Sequence, residues 1–404
     1  MRNVVFVAPF PLETTLRFVR AVGSLSGIRL LGIWQKPPQG PEGRLFADIV
    51  TVADALDTRQ LVEATRALVA RHGPVDRVVG ILEPLQVQLA EVRRHFGLDG
   101  TDVDTADVFR DKARMKDALR AHGLPCARHR LLTSWQDADV FAREVGFPMV
   151  LKPPAGMACK ATWRIRSVDE LRQALEAVKP SPDNPTLAEE LLVGRELSFE
   201  TLVVGGEVRF YALTHYYPGP LEVVENPWIQ WVVLVPREIA SADYDDGRKL
   251  GFAAVKALGL RDGMTHMEWF RRTDGSLAIG EIAARPPGAN IVRLHSLAHD
   301  ADLYRAWARA VIDGAFDGPI EQRYATGCAF FRGPGRGRVV RVEGLDRAQH
   351  LVGEHVVESV LPEIGAPKSD SYEGDGYAIV RHPDTDVVRR ALATLIDTVR
   401  VHYA

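Results

Sequence analysis

The stretch Thr265–Gly288, THMEWFRRTDGSLAIGEIAARPPG, decides how the rest of the chain is read. THMEWF and LAIGEI carry the β-branched, aromatic and aliphatic residues that suit strands, and a polar turn separates them. Asp274-Gly275 is the dipeptide favoured in a two-residue type I′ turn. With those two residues at the tip, pairing sets Thr273 opposite Ser276, Glu268 opposite Glu281 and His266 opposite Ala283. Alternation then puts His266, Glu268, Phe270, Ile279, Glu281 and Ala283 on one face, with Arg285 at its far end. Like charges placed directly opposite one another destabilise a sheet, because their Cβ atoms lie roughly 5 Å apart. A divalent cation is the natural compensation, since Mg²⁺ takes one or two carboxylates together with phosphate oxygens and water. The alternative is a solvated sheet face whose glutamates pair with Arg271 or Arg272.

Outward from the hairpin, the chain reads as a multidomain α/β protein. Its 404 residues exceed one ordinary core, and its 46% apolar and 25% charged fractions are those of a globular protein. A net charge of −3 gives no reason to expect nucleic-acid or membrane-surface binding. Cys126, Cys159 and Cys328 are widely spaced and odd in number, which argues for a reducing compartment and against structural zinc. The opening MRNVVFVAPFP is too short for a signal peptide or a membrane span, so a cytoplasmic location is expected.

Residues 2–108 alternate between strand and helix without a GxGxxG after the first strand, so a dinucleotide fingerprint is absent. FRDKARMKDALRAHGLP then reads as a helix closed by Gly123 and Pro125. The strand FPMVLK follows and leads into the small-residue loop PPAGMACKA. Strands TLAEELL, ELSFETLVV and EVRFYALTHYY come next, the last two joined by Gly205-Gly206. The segment PGPLEVVENPWIQW is irregular. With Glu222, Glu225, Asn226 and Trp228 it is a candidate pocket or lid, although core packing is the expected fate of its tryptophans. A last α/β unit occupies residues 325–404.

Four features along this path could carry chemistry. Lys152 ends a strand before a loop with little side-chain bulk, where backbone N–H groups and an ammonium can meet phosphate oxygens; a snorkelling lysine at a plain turn is the alternative. Lys112 starts a helix, where it opposes the macrodipole, and a solvated lysine is the simpler reading. In AEELLVGRE, Glu189 and Glu196 flank a strand end and turn, where a carboxylate can accept from ribose hydroxyls and a strand edge can pair with a purine; ordinary surface glutamates look the same. The fourth feature is the acidic hairpin.

The order of these features resembles the ATP-grasp superfamily: a lysine at a helix start, a lysine with a small-residue loop, Glu-x-x-Leu-x-x-x-Glu, then two hairpin glutamates followed by an arginine. EIAARPPGANI is most similar to carboxylate–amine ligases of the L-amino-acid ligase type, and biotin-carboxylase-like enzymes share the core. The resemblance implies an α/β (α+β) fold with three parts. These are a Rossmann-like pre-ATP-grasp domain at 1–108, an ATP-grasp domain at 109–320 with a lid at about 125–187, and a C-terminal α/β subdomain at 321–404. It also implies ATP and Mg²⁺ (or Mn²⁺) as cofactors. Lys112, Lys152 and Lys160 would meet the phosphates, and Glu189 with the backbone from Glu190 to Leu192 would form the adenine hinge. Glu196 would hold the ribose, Glu268 and Glu281 the metal, and Arg285 the γ-phosphate or the oxyanion that follows.

Two departures from the family pattern stand out. Ala283 occupies the position where many members carry a ligating Asn, so His266, its cross-strand partner, is a candidate replacement as ligand or phosphate contact. PPAGMACKA has a single glycine and adds Met157, Cys159 and Lys160. The implied reaction joins a small-molecule carboxylate, such as an amino acid, to an amine through an acyl phosphate. A biotin-dependent carboxylase and an inactive nucleotide-binding module are the alternatives. A homodimer through the N-terminal half is also what the resemblance implies.

Overall fold

The computed structural model describes residues 1–156 and 161–404. Its first sheet contains β1 (Arg2–Ala8), β2 (Ile28–Trp34), β3 (Asp48–Thr51) and β4 (Arg77–Val79), all parallel, in the order β3-β2-β1-β4. β1 is apolar almost throughout because both of its faces are covered. Val4, Phe6 and Ala8 join a cluster with Phe18 and Trp307 of helices Glu13–Gly23 and Leu303–Asp313. Val5 and Val7 pack instead with Leu61, Leu68 and Leu89 of helices Thr58–His72 and Gln86–Phe96.

A second, antiparallel sheet contains β5 (His129–Leu132), β6 (Met149–Lys152), β7 (Trp163–Ile165) and β8 (Thr186–Glu190), in the order β5-β8-β6-β7. Phe141, Leu171 and Leu175 from its two helices close a small core against Met149 and Leu151.

The remaining strands are β9 (Gly194–Val204), β10 (Glu207–Tyr217), β11 (Trp231–Val235), β12 (Gly263–Arg272), β13 (Leu277–Ala283), β14 (Ala325–Phe331), β15 (Val339–Glu343), β16 (Val356–Val360), β17 (Gly376–His382) and β18 (Arg400–Tyr403). Eight of them form one antiparallel sheet, β13-β12-β9-β10-β11-β14-β17-β16, while β15 and β18 pair separately. Three strands of the C-terminal stretch thus extend the same sheet that carries the acidic hairpin.

One face of this sheet is sealed. Leu197, Phe199, Met267, Trp269, Ile279 and Ile282 pack with Met115 and Leu119 of helix Lys112–Ala121 and with helix Asp245–Leu258. The period of two therefore turns Glu196, Ser198, Glu200, His266, Glu268 and Phe270 to the other face.

The hairpin differs from the expected turn and still delivers the expected pair. Arg272 N donates to Ser276 O at 2.8 Å and Gly275 N donates to Arg272 O at 3.0 Å, so the loop has three residues, Thr273 to Gly275. Gly275 sits at φ 85°, the left-handed position such a loop requires. This loop shifts the register by one residue, and a bulge at Gly280 shifts it back. Glu268 consequently still faces Glu281, and His266 faces Ala283. The bulge corrects the expectation for Ile279, which pairs with Trp269 and belongs to the sealed face, not the acidic one.

The irregular PGPLEVVENPWIQW segment holds a short helix, Pro220–Glu225, before Trp231 opens β11. Trp231 is buried in the core, as expected, but Trp228 is 53% exposed.

Candidate functional site

The acidic face of the large sheet and strands β6 and β8 of the small sheet line a cleft between them. Its lining includes Lys112, Lys152, Glu189, Glu190, Leu192, Glu196, Glu268 and Glu281, all singled out by the sequence. Ala127, Gly156, Pro220, Leu221 and Phe270 add apolar and backbone surface. A mix of apolar walls with a few convergent charged groups is the composition of a ligand cleft.

Each charged side chain is placed by an identifiable local device. Asp111 caps helix Lys112–Ala121 by accepting from Ala113 N and Arg114 N. Lys112 and Lys116, one turn apart, project from the same side of that helix toward the cleft, while Met115 and Leu119 enter the core beside it. Lys112 Nζ lies 2.9 Å from Glu281 Oε1 and donates to Gly156 O at 2.9 Å. Lys152, at the end of β6, lies 2.8 Å from Glu189 Oε2 and 3.8 Å from Glu281 Oε2. Segment 125–127 runs along the β13 edge, with Ile279 N donating to Pro125 O and Ala127 N to Ile279 O, and thereby ties the small sheet to the hairpin.

Electrostatics follow from this crowding. Burial alone would raise the Glu281 carboxyl, but Lys112 and Lys152 outweigh it and hold the group at about 2. Glu189 is likewise held low against its own burial by Lys116 and Lys152. Burial works against the Lys152 ammonium, yet Glu189 and Glu281 push its affinity for protons above the usual lysine value. Glu196 goes the other way: burial and the neighbouring charge of Glu268 raise it well above the ordinary carboxylate range, with Lys152 only partly offsetting them. Gly219 makes room for this carboxyl, since a Cβ there would stand 2.4 Å from Glu196 Oε2.

Two expected roles change. Glu189 is not a free acceptor in a hinge: its carboxylate is a buried bridge between Lys116 and Lys152, at 2.8 Å from each. The Glu190 carboxylate pairs with Arg128 and Arg272, and its N–H donates to Arg128 O. Lys160, with Met157 and Cys159, lies outside the described residues.

Glu83 is the residue that sequence reading missed. It follows β4 of the first sheet, is buried, and lies 3.0 Å from Arg110 Nη1, 3.0 Å from Arg285 Nε and 3.9 Å from Lys112 Nζ. Arg285 stands on this carboxylate beside the cleft. The one available signal was an acidic residue directly after a short apolar strand, at the carboxyl end of a parallel sheet where such folds place ligands. Lys116 was also missed, although it repeats Lys112 one turn later.

His266 lies behind Glu268. Its Nδ1 is 2.9 Å from Glu200 Oε1 and its Nε2 is 3.7 Å from Glu268 Oε1. Burial disfavours the imidazolium, but Glu200 and Glu268 outweigh it and lift the group to about 9. Glu268 and Glu281, opposed across the hairpin, are hard oxygen donors of the kind that suit Mg²⁺ or Mn²⁺. Among the described residues no three His, Cys, Asp or Glu side chains already converge as an ion cage. Glu281 is turned to the two lysines instead.

The family model of the ATP-grasp domain matches residues 117–296. The chain's fold is that of the L-amino acid ligase from Bacillus licheniformis, with a TM-score of 0.82, 18% identity and coverage of 100% of this chain and 99% of that one. The biotin carboxylase domain of 2-oxoglutarate carboxylase from Hydrogenobacter thermophilus, solved with MgADP and bicarbonate, superposes with a TM-score of 0.72 at 18% identity, covering 99% and 90% of the two chains. In sequence, the L-arginine-specific L-amino acid ligase of Bacillus subtilis is 25% identical over 255 residues, 62% of this chain and 60% of that ligase's length. No helix among the described residues is long and apolar enough to cross a membrane.

Proposed function

We propose that the protein is an ATP-dependent carboxylate–amine ligase that forms an amide or peptide bond through an acyl phosphate, releasing ADP and phosphate. The observation that carries this reading is the meeting, in one cleft, of two lysines with two glutamates opposed across a hairpin. Lys112 and Lys152, now neutralised by Glu281 and Glu189, would exchange those partners for phosphate oxygens when a nucleotide enters. That exchange frees Glu281 to face a cation together with Glu268. The bound dication supplies charge neutralisation for the transferring phosphoryl group.

Glu196, whose raised proton affinity marks a carboxyl short of counter-charge, would hold the ribose hydroxyls. Leu191 and Leu192 would offer backbone groups to the adenine, and Val150, Ala127 and Phe270 apolar surface around it. Arg285, anchored on Glu83, would stabilise the oxyanion after the amine attacks the acyl phosphate, a role suited to a group that keeps its proton. His266 would support the metal or phosphate side beside Glu268.

The test is ADP and phosphate release from the full chain with ATP, Mg²⁺ and a panel of amino acids, with mass detection of a condensed product. Amide formation supports the reading. Turnover only with bicarbonate and biotin would reassign the protein as a carboxylase, and ATP binding without ADP formation across the panel would reduce it to a nucleotide-binding module.

A further inference from the structure

Behind the acidic pair lies a polar cluster that phosphate and ribose binding do not use. Glu200 on β9 is buried, and all of its partners are buried as well. Its Oε1 faces His266 Nδ1 at 2.9 Å. Its Oε2 accepts from Thr214 Oγ1 at 3.0 Å and faces His295 Nε2 at 3.1 Å, on helix Ile291–His299. Three partners from three elements fix this carboxylate on the sheet face.

The consequence is carried by the imidazole. A ring whose Nδ1–H is held by a carboxylate has one orientation left, and its Nε2 points at Glu268. The Nε2 to Oε1 separation of 3.7 Å is too long for a hydrogen bond. Two donors bound to one cation at about 2.1 Å each stand roughly 3 Å apart, so a small inward movement lets both reach the same ion. Ala283, directly across the ladder from His266, brings no polar atom that could compete for that place.

We propose that Glu200 and His266 act as a carboxylate–histidine pair that gives the cation at Glu268 and Glu281 a nitrogen donor, with Glu200 as the positioning residue. This rests on the ligase reading above. On binding, the ion takes the Nε2 lone pair and any proton there passes to solvent, while the Nδ1 proton stays with Glu200. Such outer carboxylates orient the ring and raise its basicity, and losing one typically costs about 10–100-fold in metal affinity. A nitrogen donor also tilts selectivity away from Mg²⁺, which prefers oxygen, toward Mn²⁺ and later divalent ions.

The experiment uses the full chain loaded with Mn²⁺ and an ATP analogue bearing a methylene β,γ bridge. Electron spin-echo spectroscopy of the bound Mn²⁺ is expected to show modulation from a directly ligated imidazole nitrogen. His266→Gln should abolish that modulation with Mn²⁺ still bound, and Glu200→Gln should weaken Mn²⁺ binding at least tenfold while Mg²⁺ affinity falls less. Unfolding midpoints and near-ultraviolet dichroism separate these effects from a damaged core, and His266→Gln alone decides the matter if Glu200→Gln does not fold. Nucleotide-bound Mn²⁺ without nitrogen modulation in the unaltered protein, or modulation that persists in His266→Gln, overturns the inference and leaves the ligase reading intact. Absence of any Mn²⁺–nucleotide binding overturns both.

Discussion

Lys116→Met tests whether the cleft is held by buried charge in the way the geometry requires. Lys116 is fully buried, its Nζ 2.8 Å from Glu189 Oε1 and hydrogen-bonded to the carbonyl of Gly280, the bulge residue. Burial pulls this ammonium below the usual lysine value even though Glu189 opposes the shift, so it is a costly charge kept in place by one carboxylate. Methionine preserves length and apolar volume and removes the charge. Breaking a buried pair by deleting one partner costs about 3–5 kcal/mol when the survivor is stranded. Glu189 still has Lys152 at 2.8 Å, so the lower end, about 3 kcal/mol, is expected. Lys152 would also be bound more tightly to Glu189 and less available to an entering phosphate. Urea unfolding of the single variants and of Lys116→Met/Glu189→Gln should give a coupling free energy above about 1 kcal/mol, with ATP affinity falling in Lys116→Met. A loss below about 1 kcal/mol, together with zero coupling, would refute the buried-bridge argument.

Three further outcomes are expected. His266 gains proton affinity on folding, so its contribution is complete below its ordinary value near 6.5 and fades as pH rises through about 9; urea midpoints across that window should fall in the unaltered protein and stay flatter in His266→Gln. Gly219→Ala puts a methyl 2.4 Å from Glu196 Oε2, so the carboxyl must rotate away, and calorimetry should show nucleotide binding weakened by about tenfold or more. Arg164 on β7 pairs with Glu225 of helix Pro220–Glu225 at 3.1 Å, near the lining residues Thr162 and Leu221; Arg164→Glu should speed nucleotide release by less than about fivefold, as partly exposed pairs are weak, and Arg164→Glu/Glu225→Arg should restore the rate in stopped-flow measurements.

Local chemistry made much of this site legible. Asp274-Gly275 announced the hairpin, and the period of two placed Glu268, His266 and Glu281 together. The wrong loop length did no harm because the bulge at Gly280 cancels it, and only Ile279 was put on the wrong face. Glu189 shows the limit of such reading. Its position in the cleft followed from the motif, but its role as a bridge depended on Lys116, whose fate is decided by how helix Lys112–Ala121 meets the β13 edge. The pairing of Glu83 was illegible for the same reason at longer range: its three cations come from residues 110, 112 and 285, and no local pattern joins them. Trp228 and Trp231 were indistinguishable as neighbours in sequence, and only the start of β11 separates the buried ring from the exposed one.

The placement of Glu83 bears on how this protein can be taken apart. A fragment or chimera that begins after the first sheet would keep Arg110, Lys112 and Arg285 but lose the single carboxylate they share. Arg110 and Arg285 would then stand without it beside the cleft, with Lys112 still on Glu281, and the excess positive charge would attract stray anions there. Grafting a foreign N-terminal half onto this scaffold therefore calls for an acidic side chain transplanted at that turn, and a donor lacking one should yield a hybrid that folds yet grips phosphate without turning it over.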